Sequence, residues 1–135
     1  MGPVEFYYSP AEDAGVVNSY VRPERLGVDR WLAIVEAWHS RGAAIVIDCG
    51  SAITLDAVSS AGRHQGGYIV PGLRMLERSL TGGTGAVRID SGIERGLGPG
   101  KSMTECVQNG VLRMSGASVT DDLVARQPRL QDTFT

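Results

Sequence analysis

Cysteine is scarce in this sequence: only Cys49 and Cys106 occur among its 135 residues. Two thiols cannot build the disulfide framework of a small secreted domain or a cysteine-ligated zinc centre. Long apolar runs are missing too. A run such as Ala43–Ile47 falls far short of the ~20 residues that cross a bilayer, so no membrane partner is expected. The N-terminus lacks the charged-then-apolar order of a secretion signal, and the expected location is the cytoplasm. Positive charge is not in excess. Thirteen Lys plus Arg face fifteen Asp plus Glu, for a net charge of −2 and a pI near 5.6. Without a basic stripe, no nucleic-acid partner is expected. His39 and His64 stand alone and match no metal-ligand spacing.

What is present in abundance is glycine, at 18 of 135 residues, nearly twice the ~7% of an average protein. Eight of these glycines lie between Pro71 and Lys101, at junctions where a backbone can approach a ligand or a neighbouring strand closely. The 42% hydrophobic and 21% charged content is that of an ordinary globular protein. The length suits one domain with a real core. Residues 1–22 carry no sustained period and read as an irregular segment, leaving residues 23–135 as a single α/β domain.

Trp31, Ile34, Val35 and Trp38 fall on one helical face, which predicts a helix over Val28–His39 that stops at Gly42. The apolar run 43–48 reads as a buried central strand, with Ile53–Val58 as its hairpin return and Gly67–Val70 as a third strand. Leu73–Leu80 has amphipathic helical spacing. Residues 82–100 read as loop. Ser102-Met103-Thr104-Glu105 matches a capping box and starts a last helix that runs to about Ala117 or on through Leu123-Val124. Beyond Pro128, residues 130–135 suit a strand. Trp31 and Trp38 are assigned to the core, and Cys49 to a small buried position.

Four stretches could carry chemistry. Asp48-Cys49-Gly50-Ser51-Ala52-Ile53-Thr54-Leu55-Asp56 ends a strand in a carboxylate and turns through glycine and hydroxyl residues. Such a turn can cradle a phosphate, with Asp48 holding a cation, or it can be a hairpin built from small residues. Gly27-Val28-Asp29-Arg30 opens a helix. There the macrodipole keeps a carboxylate ionised as a modest proton acceptor, and Arg30 can grip an anion. The alternative is a plain carboxylate in a first turn. Gly66-Gly67 before a strand, with Pro71-Gly72 after it, implies a backbone pressed against a ligand or against a neighbouring strand. Thr104 can point into a cleft or face solvent.

Together and in this order, these segments resemble the type III pantothenate kinases. The likeness rests on Asn18-Ser19-Tyr20, Leu26-Gly27-Val28-Asp29-Arg30-Trp31-Leu32-Ala33, Ile47-Asp48-Cys49-Gly50-Ser51-Ala52-Ile53-Thr54, Gly66-Gly67-Tyr68-Ile69-Val70-Pro71-Gly72 and Thr104-Glu105 with Gly110. It runs from about Gly15 to Gly116. The resemblance implies a ribonuclease H-like layered α/β domain of the acetate/sugar-kinase and actin-like ATPase superfamily. It implies ATP-dependent phosphorylation of pantothenate, the first step of coenzyme A biosynthesis. Asp29 would be the proton acceptor. Tyr20, Gly27, Val28, Asp29, Arg30 and Thr104 would hold pantothenate, Ser51 would touch ATP, and Asp48 would bind potassium or ammonium, with magnesium on the nucleotide. A homodimer is implied as well. The family's N-terminal Asp-x-Gly-Asn phosphate loop has no counterpart in residues 1–22, and the chain ends at Thr135 before the family's later Gly-Gly-Asp segment. The expectation is therefore an incomplete kinase that transfers phosphate poorly or not at all alone, or a non-catalytic pantothenate-binding or regulatory module of the same family.

Overall fold

The structure is a computed structural model that describes residues 2–84 and 87–131, with backbone alone for 83–84 and 122–131. It is a mixed α/β chain. Strand β1 (Glu12–Asp13) pairs antiparallel with β2 (Val16–Val17), followed by a 3₁₀ turn at Pro23–Arg25 and helix α1 (Val28–Arg41). Then come β3 (Ala44–Cys49), β4 (Ala52–Val58) and β5 (His64–Pro71), followed by α2 (Leu73–Thr84) and α3 (Met103–Gln131). The three long strands form one sheet in the order β3-β4-β5, joined by connections too short for anything but antiparallel pairing.

By contact density the chain divides into two units. Of the described residues, the first holds 2–47, 54–68 and 127–131, and the second holds 48–53, 69–84 and 87–126. In the first unit the apolar face of α1 behaves as its spacing predicts. Trp31 and Ile34 are fully buried in a cluster with Val16, Leu26 and Val58, and Val35 and Trp38 pack against it. The helix ends at Gly42, whose φ of +74° continues past the Trp38 carbonyl at no steric cost. Asn18 ties down the preceding loop. Its amide donates to the carbonyls of Pro10 and Pro23, and its oxygen accepts the Tyr20 N–H.

In the second unit, α3 buries Thr104, Val107, Gln108, Val111 and Ser115, a face at helical spacing. The Ser102 half of the capping box forms as predicted, while the Glu105 carboxylate reaches one residue further back, to Lys101. Ser102 Oγ accepts the Glu105 N–H at 3.2 Å, and Glu105 accepts the Lys101 N–H at 2.6 Å. Asn109 accepts the Gly96 N–H and donates to the Gly98 carbonyl, which pins the preceding loop to the helix.

Three expectations need correction. The run 44–49 is an edge strand with an exposed second half, and β4, with five of its seven residues buried, is the central one. An unbroken apolar run predicts a strand but not its place, and the hairpin order puts the middle strand inside. Cys49 is consequently exposed, since it ends the edge strand. Helix α3 continues past Pro128 to Gln131, so Leu130 and Gln131 are helical. Proline removes one backbone donor without by itself ending this helix. The remainder of the strand expected at 130–135 lies outside the described residues.

Gly67 explains the Gly66-Gly67 pair. A Cβ at Gly67 would collide with the Leu55 carbonyl oxygen and the Asp56 carboxylate of β4, so the backbone is pressed against a neighbouring strand. Gly67→Ala is expected to lower unfolding free energy by about 1–3 kcal/mol, the usual cost of overpacking. Urea denaturation of the two proteins measures it.

Candidate functional site

Two groups of the residues singled out in the sequence come together, one in each unit. In the first unit the helix start Gly27–Arg30 has no side-chain cap, because Gly27 occupies the N-cap position. Asp29 stands in the first turn, exposed and without a protein partner among the described residues. Arg30, one residue on, turns inward. Its Nη1 donates to the Tyr20 hydroxyl at 3.0 Å, and its Nε and Nη2 donate to Asp56 Oδ2 and Oδ1 at 2.8 and 2.7 Å. Its guanidinium carbon sits 5.9 Å from the centre of the Tyr20 ring.

The sequence assigns no role to Asp56, the last residue of the Asp48–Asp56 stretch, or to the isolated His64, and they complete this network. His64 Nε2 lies 2.9 Å from Asp56 Oδ1, and His64 Nδ1 lies 3.0 Å from Ser19 Oγ. The imidazole stacks beside Tyr20 with ring centres 6.1 Å apart. A signal for Asp56 was present: a carboxylate between Leu55 and Ala57 in an apolar strand must be paired if it is buried. Nothing in the sequence named its partners.

Burial by itself would push the Asp56 carboxyl up, but hydrogen bonds and charge from His64 and Arg30 outweigh it and hold the carboxyl below its ordinary value. A depressed acid stabilises the fold above its unfolded value of about 3.9, and that contribution disappears as pH falls through the lower folded value. The urea midpoint of the wild-type protein is therefore expected to drop below about pH 4, and that of Asp56→Asn to drop less over the same range.

In the second unit the turn Gly50-Ser51 meets the start of α2. The Gly72 N–H donates to the Ser51 carbonyl at 2.9 Å, and Gly72 lies so close to the Gly50 and Ser51 carbonyls that a Cβ there would clash. Ser51 lines a cleft of about 760 Å³ with Arg74, Arg78, Arg95 and Ser115. The Ser115 hydroxyl is buried and unpartnered. Arg95 also pairs with Glu77 at 2.8 Å. Asp48 is exposed at the end of β3. Thr104 points neither to solvent nor to an open cleft. It is buried, and its hydroxyl accepts the Asp90 N–H at 3.0 Å.

The described residues contain no group of three or more His, Cys, Asp or Glu side chains able to ligate a metal. Asp48 offers a single carboxylate, which fits a weakly held monovalent cation and not a divalent site built by the protein alone. The cleft fits a nucleotide better. Its guanidinium groups suit phosphates, and its apolar remainder suits a base.

Comparison with known proteins agrees with the motifs. The family model for type III pantothenate kinase matches residues 2–126. Among curated relatives, the type III pantothenate kinase of Alcanivorax borkumensis is 52% identical over 128 residues, covering 95% of this chain and 52% of the relative. Those of Chromohalobacter salexigens and Marinobacter nauticus are 42% and 38% identical, covering 88% and 98% of this chain and 43% and 53% of their own lengths. The chain thus spans about half the length of the curated relatives it matches. A crystal structure described as a conserved Baf family transcriptional activator from Campylobacter jejuni shares the fold. It matches with a TM-score of 0.55 at 23% identity, covering 78% of this chain and 49% of that one. With nearly its whole length matched by one family model and by relatives of that name, the chain belongs to the type III pantothenate kinase family.

Proposed function

We propose that this chain takes part in the ATP-dependent phosphorylation of pantothenate, the first step towards coenzyme A, as a ribonuclease H-like domain of the actin-like ATPase superfamily. One observation carries the reading: Arg30 in the first turn of α1, next in the chain to the exposed Asp29, donates a 3.0 Å hydrogen bond to the Tyr20 hydroxyl. In this reading Gly27 to Arg30 and Tyr20 hold pantothenate, and Asp29 accepts its hydroxyl proton. Phosphoryl transfer has a loose transition state, so orientation of the hydroxyl matters more than base strength. ATP supplies the phosphoryl group. Ser51 and the arginines of the second unit's cleft hold its phosphates, Asp48 holds potassium or ammonium, and magnesium rides on the nucleotide.

A pantothenate contact for Thr104 requires its hydroxyl to exchange Asp90 for the ligand. Residues 23–135 act as one α/β kinase domain and residues 1–22 as a lead-in segment. The same reading makes the protein a cytoplasmic homodimer. Two free cysteines are compatible with a reducing compartment, and no helix among the described residues is long and apolar enough to cross a membrane.

The test combines the purified chain with ATP, magnesium, potassium and pantothenate, and follows phosphopantothenate by mass spectrometry. Asp29→Asn is expected to lower the rate by about 10²–10⁴, the range of general acid–base contributions, with pantothenate binding retained. Equal rates for the two proteins would remove Asp29 from the chemistry. Calorimetric binding of pantothenate without ATP binding or turnover would make the chain a binding module.

A further inference from the structure

The buried charge of the first unit is concentrated in one place. Asp56 is the only acidic side chain buried among the described residues, and its side chain is 2% exposed beside a His64 side chain at 0%. Both Asp56 oxygens are taken by the Arg30 fork, and Oδ1 also faces His64 Nε2. An ionised carboxylate has no proton to give, so His64 Nε2 must carry the hydrogen of that contact. In the neutral ring this leaves Nδ1 to accept the Ser19 hydroxyl proton across 3.0 Å. The tautomer is thereby set from both sides.

An isolated buried ion pair is a poor source of stability, because desolvation cancels most of its attraction. What this arrangement does achieve is orientation. Arginine has five N–H donors. Asp56 uses those on Nε and Nη2, and Tyr20 uses one on Nη1. One N–H on each terminal nitrogen is left over, with the Tyr20 hydroxyl proton beside them. These are donors in fixed positions on a fork that has already lost its freedom, and little entropy remains to be lost when a ligand binds.

We propose that Asp56 and His64 are positioning residues of the pantothenate pocket: Asp56 locks the Arg30 fork, His64 locks Asp56, and the donors so fixed on Arg30 and Tyr20 select the carboxylate end of a carboxylate-bearing alcohol. Neither residue touches the substrate. This inference rests on the pantothenate reading above and adds to it the origin of carboxylate selectivity.

The experiment compares two ligands by calorimetry on the full chain: pantothenate, and pantothenyl alcohol, in which a hydroxyl replaces the carboxylate. Asp56→Asn, folded as judged by circular dichroism, is expected to weaken pantothenate at least about tenfold, as loss of a charge-assisted contact does. Its affinity for pantothenyl alcohol is expected to stay within about twofold, since that ligand does not use the selected contact. His64→Gln, which keeps a donor towards Asp56, is expected to shift the same ratio by a smaller factor. It carries the test if Asp56→Asn does not fold. Equal losses for the two ligands would reduce the network to scaffolding, and no loss for either would overturn the proposal outright. Wild-type protein that binds neither ligand would instead overturn the pantothenate reading on which the proposal stands. Long-range ¹H–¹⁵N correlation spectra check the lock without any ligand. A His64 ring protonated on Nδ1 alone would contradict it.

Discussion

Asp56→Ala is expected to lower unfolding free energy by about 3–5 kcal/mol, the range for removing one partner of a buried ion pair. Alanine removes both acceptors of the Arg30 fork and the contact of His64 Nε2 together. Arg30, whose side chain is 13% exposed, is left charged and largely desolvated. Guanidinium does not deprotonate to escape this cost, because its proton is lost only far above neutral pH. For a domain of ordinary stability the loss is a large fraction of the total. Adding Arg30→Met to Asp56→Ala should recover part of it, because replacing both charges by apolar groups can be nearly neutral. Denaturant titration of the wild type, both single variants and the double variant gives the coupling energy directly. A double variant no more stable than Asp56→Ala would show that the stranded charge is not the source of the loss.

Trp31→Ala is expected to cost a similar 3–5 kcal/mol or so, through cavity formation. Trp31 is fully buried at the centre of the cluster formed by Val16, Leu26, Ile34 and Val58. Its surroundings are a helix and strands that hold one another in place, so the cavity cannot collapse fully. Its indole N–H has no hydrogen-bond partner among the described residues. Trp31→Phe keeps much of the buried area and removes that orphaned donor, so it should lose less than half as much. Thermal unfolding of the two variants separates packing from polarity. If Trp31→Phe proved as costly as Trp31→Ala, indole shape or a water-mediated contact would have to account for it.

The two predictions come from opposite ends of what the sequence makes readable. Trp31 declares itself, because it shares a 3.6-residue period with Ile34, Val35 and Trp38, and such a face has only one place to go. The capping box at Ser102 is equally local, as is the glycine stop at Gly42. Gly67 and Gly72 announce close backbone approach, and the structure supplies Leu55, Asp56 and the Gly50-Ser51 turn as what they approach. Asp56 is different. Its partners Arg30 and His64 lie 26 residues before it and 8 after it, and His64 reaches a further 45 back to Ser19. No periodicity spans those separations. Thr104 was read as a first-turn hydroxyl with two possible outlooks, and its actual partner, Asp90, comes from a loop with no pattern of its own.

By itself the sequence determined the period of α1, the start of α3, the glycine positions and the motif order that marks the family, because each depends on neighbours a few residues apart. Only the tertiary structure decided that β4 is the central strand, that Cys49 is exposed, and that Arg30 is held by a carboxylate before any ligand arrives. Those outcomes depend on which segments meet in space, and burial and charge pairing act on that meeting and not on distance along the chain.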